Sequence, residues 1–124
     1  MIPKFRAWLK YEGCFADSIE SIRYDKETVF LKWGGFGRGD RFEFYEVELM
    51  QSTGLRDKNG QEIFEGDIVR FFDSLYTVFY DIEEGSYRLK PHDDRWVVDY
   101  MSNFSSEESF EIIGNIYENK EQLW

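Results

Sequence analysis

The chain has 124 residues, carries 15 Lys and Arg against 25 Asp and Glu, and is 19% aromatic. That length is typical of one ordinary domain, and the aromatic content excludes an intrinsically disordered acidic tail. No apolar run approaches the ~20 residues that a membrane-spanning helix needs, and the first residues predict no secretory signal. Because Cys14 is the single cysteine, an internal disulfide is excluded and we expect a reducing, cytoplasmic compartment.

Strand patterns dominate the N-terminal half. Alternating apolar residues predict a strand near 4–10, a hairpin of 18–24 with 28–33, and a strand at 41–45. The loop at 34–40 contains four glycines, but a strand rather than a helix follows it. A phosphate-binding loop needs a helix N-terminus behind it, so we interpret this loop as a hairpin connection. The next residues, 46–51, fit either a strand or a short helical turn.

The central part of the chain is rich in turn signals. Asn59-Gly60 is the pair favoured in a type I′ turn, which would pair residues 55–57 with 61–63. Further turn signals every eight to ten residues predict a meander of short strands over 63–90. That spacing is typical of a small barrel or sandwich.

The C-terminal part gives weaker patterns. Residues 96–101 fit a strand, 105–108 resemble a helix start, and 118–124 fit a short helical turn. The last strand is predicted at 110–117, with a bulge at Gly114-Asn115.

These elements predict an α+β, mainly β fold built of short antiparallel strands. We expect a single domain over residues 1–124, with a possible subdivision. Residues 1–52 would form an N-terminal strand-rich part, and residues 53–124 would form a small SH3-like, barrel-type part.

Three segments of the chain resemble one known family. Residues 50–69, MQSTGLRDKNGQEIFEGDIV, are similar to the central signature of the YopX family, and 4–8 and 112–119 resemble its N- and C-terminal segments. The resemblance implies a largely β, α+β protein from a phage or prophage of low-GC bacteria, and hence a bacterial host cytoplasm. It implies no catalytic residue.

Ten residues of these segments are expected to have structural roles. Glycines at turns permit unusual φ, and aspartates there hydrogen-bond nearby backbone amides. The set is Gly54, Leu55, Asp57, Asn59, Gly60, Glu65, Gly66, Asp67, Gly114 and Asn115.

The residues that could carry chemistry do not form a known pattern. His92 is the only histidine and lies far from Cys14 in the sequence, so a nucleophile–histidine pair is not indicated. The acidic residues beside His92 are neighbours in a loop and rarely converge on one ion. A calcium loop starting at Asp57 fails at its sixth and twelfth positions, Glu62 and Ile68. We therefore expect no enzyme and no catalytic, metal or cofactor site.

The distribution of charge and aromatic residues points to protein contacts. Residues 1–70 hold 11 basic and 13 acidic residues, whereas 71–124 hold 4 and 12. Phosphate binding needs clustered cations, but Arg38 and Arg41 are interleaved with acidic residues, so direct nucleic-acid binding is disfavoured. Several aromatic residues lie outside the predicted strand faces, and such residues are enriched in interfaces. They are Phe36, Phe72, Trp96, Phe104 and Trp124.

The resulting hypothesis is a non-enzymatic phage accessory protein. It would act through contacts with a host or phage protein and would form a homo-oligomer, with no membrane and no small-molecule substrate. The alternatives are an acidic nucleic-acid mimic and a nucleic-acid-associated β-barrel module, in which Phe71, Tyr76 or Tyr87 would stack on bases.

Overall fold

The computed structural model describes residues 4–35, 37–93 and 110–118, and the backbone of 99–100. All pairing in these residues is antiparallel β, and the described part of the chain contains no α-helix. The α+β expectation is therefore wrong. Its helical candidate at 46–51 belongs to a long strand preceded by one 3₁₀ turn, Phe44–Glu46. The candidates at 105–108 and beyond 118 lie outside the described residues.

The chain forms two compact units, Met1–Gln51 and Ser52–Trp124. We predicted a subdivision after residue 52 within one domain, and the single-domain assignment stays a prediction. Strand β6 (Val47–Arg56) runs through the division, so its first half pairs in the first unit and its second half in the second.

The first unit contains two groups of short antiparallel strands. Its strands are β1 (Phe5–Leu9), β2 (Cys14–Phe15), β3 (Ser18–Arg23), β4 (Thr28–Lys32), β5 (Gly39–Glu43) and the start of β6 (Val47–Arg56). β1 pairs with β2 and β6, and β3–β4–β5 form a three-stranded sheet. One side of that sheet is apolar, because Val29, Leu31 and Phe42 alternate onto it and join a buried core with Ala7 and Leu9.

The second unit is a five-stranded sheet plus a short strand. Its strands are β7 (Glu62–Phe64), β8 (Asp67–Phe71), β9 (Ser74–Asp81), β10 (Ser86–Pro91), β11 (Asp99–Tyr100) and β12 (Phe110–Asn115). The order β11–β10–β9–β8–β12 brings the C-terminal strand against β8, with a bulge between Ile112 and Gly114. Ile63, Val69 and Phe110 belong to its buried core. The sheet architecture supports a half-barrel, and the SH3-like detail stays a prediction.

The turn at Asn59-Gly60 differs from its predicted form, and the turn between β8 and β9 contains a non-glycine residue with positive φ. Gly60 has a φ of 81°, but Asn59 is not in the positive-φ region, so the predicted type I′ turn is wrong. The strands there pair only as far as Arg56 and Glu62, leaving a longer loop. Between β8 and β9 the turn lies at Phe72-Asp73, and Phe72 adopts a φ of 54°.

None of the helices in the described residues is long and apolar enough to cross a membrane.

Candidate functional site

Asp57 organises the loop at the centre of the signature segment. It is only 4% exposed. Its Oδ1 accepts hydrogen bonds from the amides of Asn59 and Gln61, both at 2.9 Å, and its Oδ2 accepts one from Ile112 at 3.0 Å. Burial would raise the pKa of Asp57, but these amides and the charge of Lys58 outweigh it and lower the pKa. Both oxygens thus hold the loop to β12.

Three of the predicted motif glycines have positive φ: Gly60 and Gly66 lie in turns, and Gly54 lies inside β6 where its register with β7 shifts. Gly54, Gly60 and Gly66 have φ values of 82°, 81° and 86°, a region where a side chain is costly. Next to Gly66, the buried carboxylate of Asp67 accepts the amide of Phe64 at 2.8 Å. These contacts shape the turn between β7 and β8.

The remaining motif residues also make contacts within the second unit. Leu55 packs against its core, and Asn59 provides an amide to Asp57. Glu65 lies near the hydroxyl of Tyr87. Burial raises the pKa of Tyr87, and the negative charge of Glu65 raises it further.

Gly114 and Asn115 lie where β12 ends. Gly114 pairs with Ile68 beside the bulge. The Oδ1 atom of Asn115 accepts the amides of Tyr117 and Glu118 at 3.0 and 2.8 Å. The structure therefore places the ten motif residues in loops and strands of the second unit, where the carboxylates of Asp57 and Asp67 and the amide oxygen of Asn115 accept backbone amides.

Glu111 pairs with two cations of the second unit. Its carboxylate lies 2.9 Å from Lys58 Nζ and also pairs with Arg70. The hydrogen bond from Lys58 is the largest cause of the lowered pKa of Glu111, and the charge of Arg70 contributes. The three groups together keep one net positive charge.

His92 and Cys14 are far apart in the chain and lie in different units. The Nε2 atom of His92 shares a hydrogen bond of 2.8 Å with the hydroxyl of Thr77. Burial, with help from Lys90, lowers the pKa of His92, which favours the neutral ring. Among the described residues, no three His, Cys, Asp or Glu side chains form a cluster that could hold a metal ion.

The aromatic residues considered for base stacking lie in the wrong place for that role. Tyr76 is buried in the core of the second unit, and Phe71 and Tyr87 pack against it. The Tyr87 hydroxyl donates to the carbonyl of Ser52 at 3.3 Å. A stacking platform needs exposed ring faces. The packing of these three rings in or against the core therefore does not support base stacking by them.

A surface that the sequence reasoning did not single out lies on the outward side of the β3–β4–β5 sheet. Strand pairing sets Ser21 opposite Phe30, and Phe30 opposite Arg41. The ring of Phe30 is 41% exposed and lies beside a hollow of about 450 Å³. We call this surface the basic face. It consists of Ser21, Arg23, Lys26, Phe30, Arg41 and Glu43.

A glycine makes room for the aromatic ring of the basic face. A Cβ atom added at Gly39 would overlap the ring of Phe30 more closely than real Cβ atoms approach anything. Gly39 has no positive φ, so a side chain at residue 39 would displace the Phe30 ring and would not strain the backbone. The ring therefore lies flat across β5 instead of standing away from the sheet.

The cations of the basic face differ in their pairing. Arg23 holds Asp25 through contacts of 2.8 and 3.2 Å. Within the described part of the chain, neither Lys26 nor Arg41 has an ion-pair partner. Both side chains are exposed. The face thus combines an apolar centre with two cations able to pair with an incoming anion.

Strand alternation explains why the basic face was not predicted from the order of charges in the sequence. Asp40 and Arg41 are neighbours in the sequence but point to opposite sides of β5. Asp40 is turned toward Trp33, whose Nε1–H donates to its carboxylate at 2.9 Å. The sheet therefore separates Asp40 from Arg41, whereas Glu43 stays on the same side as Arg41. The basic face could have been found by combining the side-chain alternation of β4 and β5 with the register in which the two strands pair.

A larger hollow, of about 760 Å³, lies beside Trp33 and Arg38 in the same unit. It borders the loop that contains residue 36, which lies outside the described residues. We therefore assign no site to it.

Comparison with known proteins gives the following matches. The family model described as YopX protein matches residues 4–124. A solved structure, the crystal structure of protein EF1440 from Enterococcus faecalis, is 29% identical with a TM-score of 0.68, and the match covers 100% of this chain and 99% of that one. No curated protein matches the chain.

Proposed function

Starting from the fact that the chain belongs to the YopX family, we propose that it is a non-enzymatic phage or prophage accessory protein. It acts in the cytoplasm of a bacterial host by binding another protein through the basic face.

The basic face is the observation that carries this proposal. A half-exposed aromatic ring beside cations is the composition of protein contact sites, where aromatic residues and Arg are enriched. Phe30 offers apolar area, and Lys26 and Arg41 offer charges that can select an acidic partner. By contrast, the signature carboxylates Asp57 and Asp67 accept hydrogen bonds from backbone amides of the fold. This division supports binding by the first unit and a structural role for the signature.

The test is a comparison of captured partners. Tagged wild type and the double variant Lys26→Glu/Arg41→Glu are expressed in lysogenic cells, and the proteins that copurify are identified. We expect at least one partner to be lost from the variant, because charge reversal opposes an acidic partner. A single charge reversal on an exposed residue elsewhere, Glu12→Lys, is expected to keep that partner. An unchanged set of partners in the face variant would contradict the proposal.

Nucleic-acid association is the second candidate, because an exposed ring beside cations can also stack on an unpaired base. The exposed Phe30 and the cations Lys26 and Arg41 favour it, whereas Asp25 and Glu43 beside them weaken attraction to phosphate. Fluorescence anisotropy with labelled single-stranded DNA at low salt distinguishes the candidates. We expect no binding; binding that disappears in Phe30→Ala would replace the protein-contact proposal with this one.

The nucleic-acid mimic receives less support. Mimicry needs a row of available carboxylates. In the second unit, Asp57 and Asp67 face backbone amides, and Asp81 and Glu111 are paired with cations.

A further inference from the structure

The turn between β9 and β10 presents an apolar side chain flanked by acidic ones. Ile82 is 86% exposed, the highest value among the exposed large hydrophobic side chains of the described residues. Glu83 and Glu84 follow it and are exposed. We call Ile82, Glu83 and Glu84 the acidic tip. An isolated apolar residue on a surface needs no explanation, but here the turn is built to hold it outward.

Asp81 gives the acidic tip its fixed shape. Its Oδ1 accepts the amides of Glu83 and Glu84 at 3.0 and 3.3 Å, and its Oδ2 pairs with Arg88 at 2.9 Å. The amide of Gly85 closes the turn by donating to the carbonyl of Asp81 at 2.8 Å. A preorganised turn loses little conformational freedom on binding, which favours its use as a contact element.

The acidic tip and the basic face are complementary in chemistry. The tip has one apolar side chain and two neighbouring carboxylates; the face has the half-exposed ring of Phe30 and the cations Lys26 and Arg41. The hollow of about 450 Å³ is in the range of sites that enclose small ligands, and it can receive a turn tip.

We propose that the acidic tip of one copy docks on the basic face of a second copy. This inference rests on the proposed function, because it names the occupant of the same face. The contact joins different surfaces, so it is heterologous and builds a closed ring or an open chain of copies. Since oppositely charged groups steer the contact, added salt weakens it.

A charge-swap experiment tests this contact directly. The face variant is Lys26→Glu/Arg41→Glu, and the tip variant is Glu83→Arg/Glu84→Arg. Either variant alone opposes like charges, so we expect association at least tenfold weaker than in the wild type. Mixing the two restores opposite charges at every contact, and we expect association to return. Sedimentation velocity over a concentration series, at low and at raised salt, measures each state.

Two further variants control for folding and for unspecific charge effects. Ile82→Ser leaves the charges unchanged and is expected to weaken association about tenfold by removing apolar burial. The double reversal Glu12→Arg/Asp73→Arg changes as much charge on exposed residues outside both surfaces and is expected to associate like the wild type. Circular dichroism confirms that each variant is folded before it is compared.

The outcomes separate this inference from the proposed function. A wild type that stays monomeric at its highest soluble concentration, or a mixture that does not associate, overturns the docking of a second copy. If the face variant still loses its partner in cells, the proposed function stands without that docking. If the face variant keeps every cellular partner, the proposed function fails, while a restored association in the mixture would still support contact between copies.

Discussion

Replacing Asp57 by asparagine removes one charge and leaves the shape of the side chain almost unchanged. The amide group of asparagine has only one oxygen, which can still accept from the amides of Asn59 and Gln61. Its nitrogen would then face the amide of Ile112, so two donors would oppose each other in a buried place. A lost hydrogen bond to a charged group costs about 1.5–3 kcal/mol, and an unsatisfied buried amide adds to it. We expect Asp57→Asn to lower the free energy of unfolding by about 3 kcal/mol at neutral pH.

The pH dependence of this loss gives a second readout. The folded protein lowers the pKa of Asp57 below its ordinary value. A group with a depressed pKa stabilises the fold fully above its unfolded pKa, and this contribution disappears as the pH falls through the folded pKa. Protonated Asp57 resembles asparagine in charge. The difference between wild type and Asp57→Asn should therefore shrink in acid.

Urea unfolding at a series of pH values measures this difference. The control is Asp73→Asn in the exposed turn between β8 and β9, which should change stability by less than about 0.5 kcal/mol. A variant Asp57→Asn as stable as the wild type at neutral pH would refute the reasoning. So would a deficit that is equal at all pH values, because that result would assign the loss to shape and not to charge.

Four further substitutions test other contacts of the second unit. Gly66→Ala should cost at least about 1 kcal/mol in urea unfolding, because the φ of 86° disfavours a side chain; no loss would contradict that strain. Asn115→Ala should speed hydrogen exchange at the amides of 117–118 by removing their acceptor, and unchanged exchange would contradict it. Phe72→Asn should keep or raise thermal stability, because the ring is 77% exposed and asparagine tolerates positive φ; Phe110→Ala, buried in the core, should cost about 3–5 kcal/mol.

The strands with clear alternation were predictable from the sequence. The hairpin of β3 and β4, the meander of β8 to β10 and the bulge in β12 all lie close to the predicted places, because apolar periodicity and turn residues agree there. Ser52, Thr53 and Gly54 look like a turn by composition, yet they lie inside β6. The Thr53 hydroxyl donates to the carbonyl of Ile63 at 2.7 Å, which compensates locally for poor strand propensity.

The basic face could not be predicted because it depends on register. The sequence shows that Phe30 alternates away from the apolar side, but not that Ser21 and Arg41 flank it or that Gly39 leaves space for its ring. These relations arise between strands, and single-strand periodicity does not contain them. The expected helical content was wrong for a related reason, since polar and glycine residues near 46–56 are held in a strand by their partners.

In-cell photocrosslinking tests the central claim, that the basic face is the contact surface, most directly. A photoreactive phenylalanine analogue is placed at Ser21, beside Phe30 on the face, or at Asn59, exposed in the signature loop. Lysogenic cells are irradiated and the tagged chain is examined for crosslinked products. We expect a discrete crosslinked protein from position 21 and none from position 59. A product from position 59 alone would contradict it and would assign binding to the signature loop.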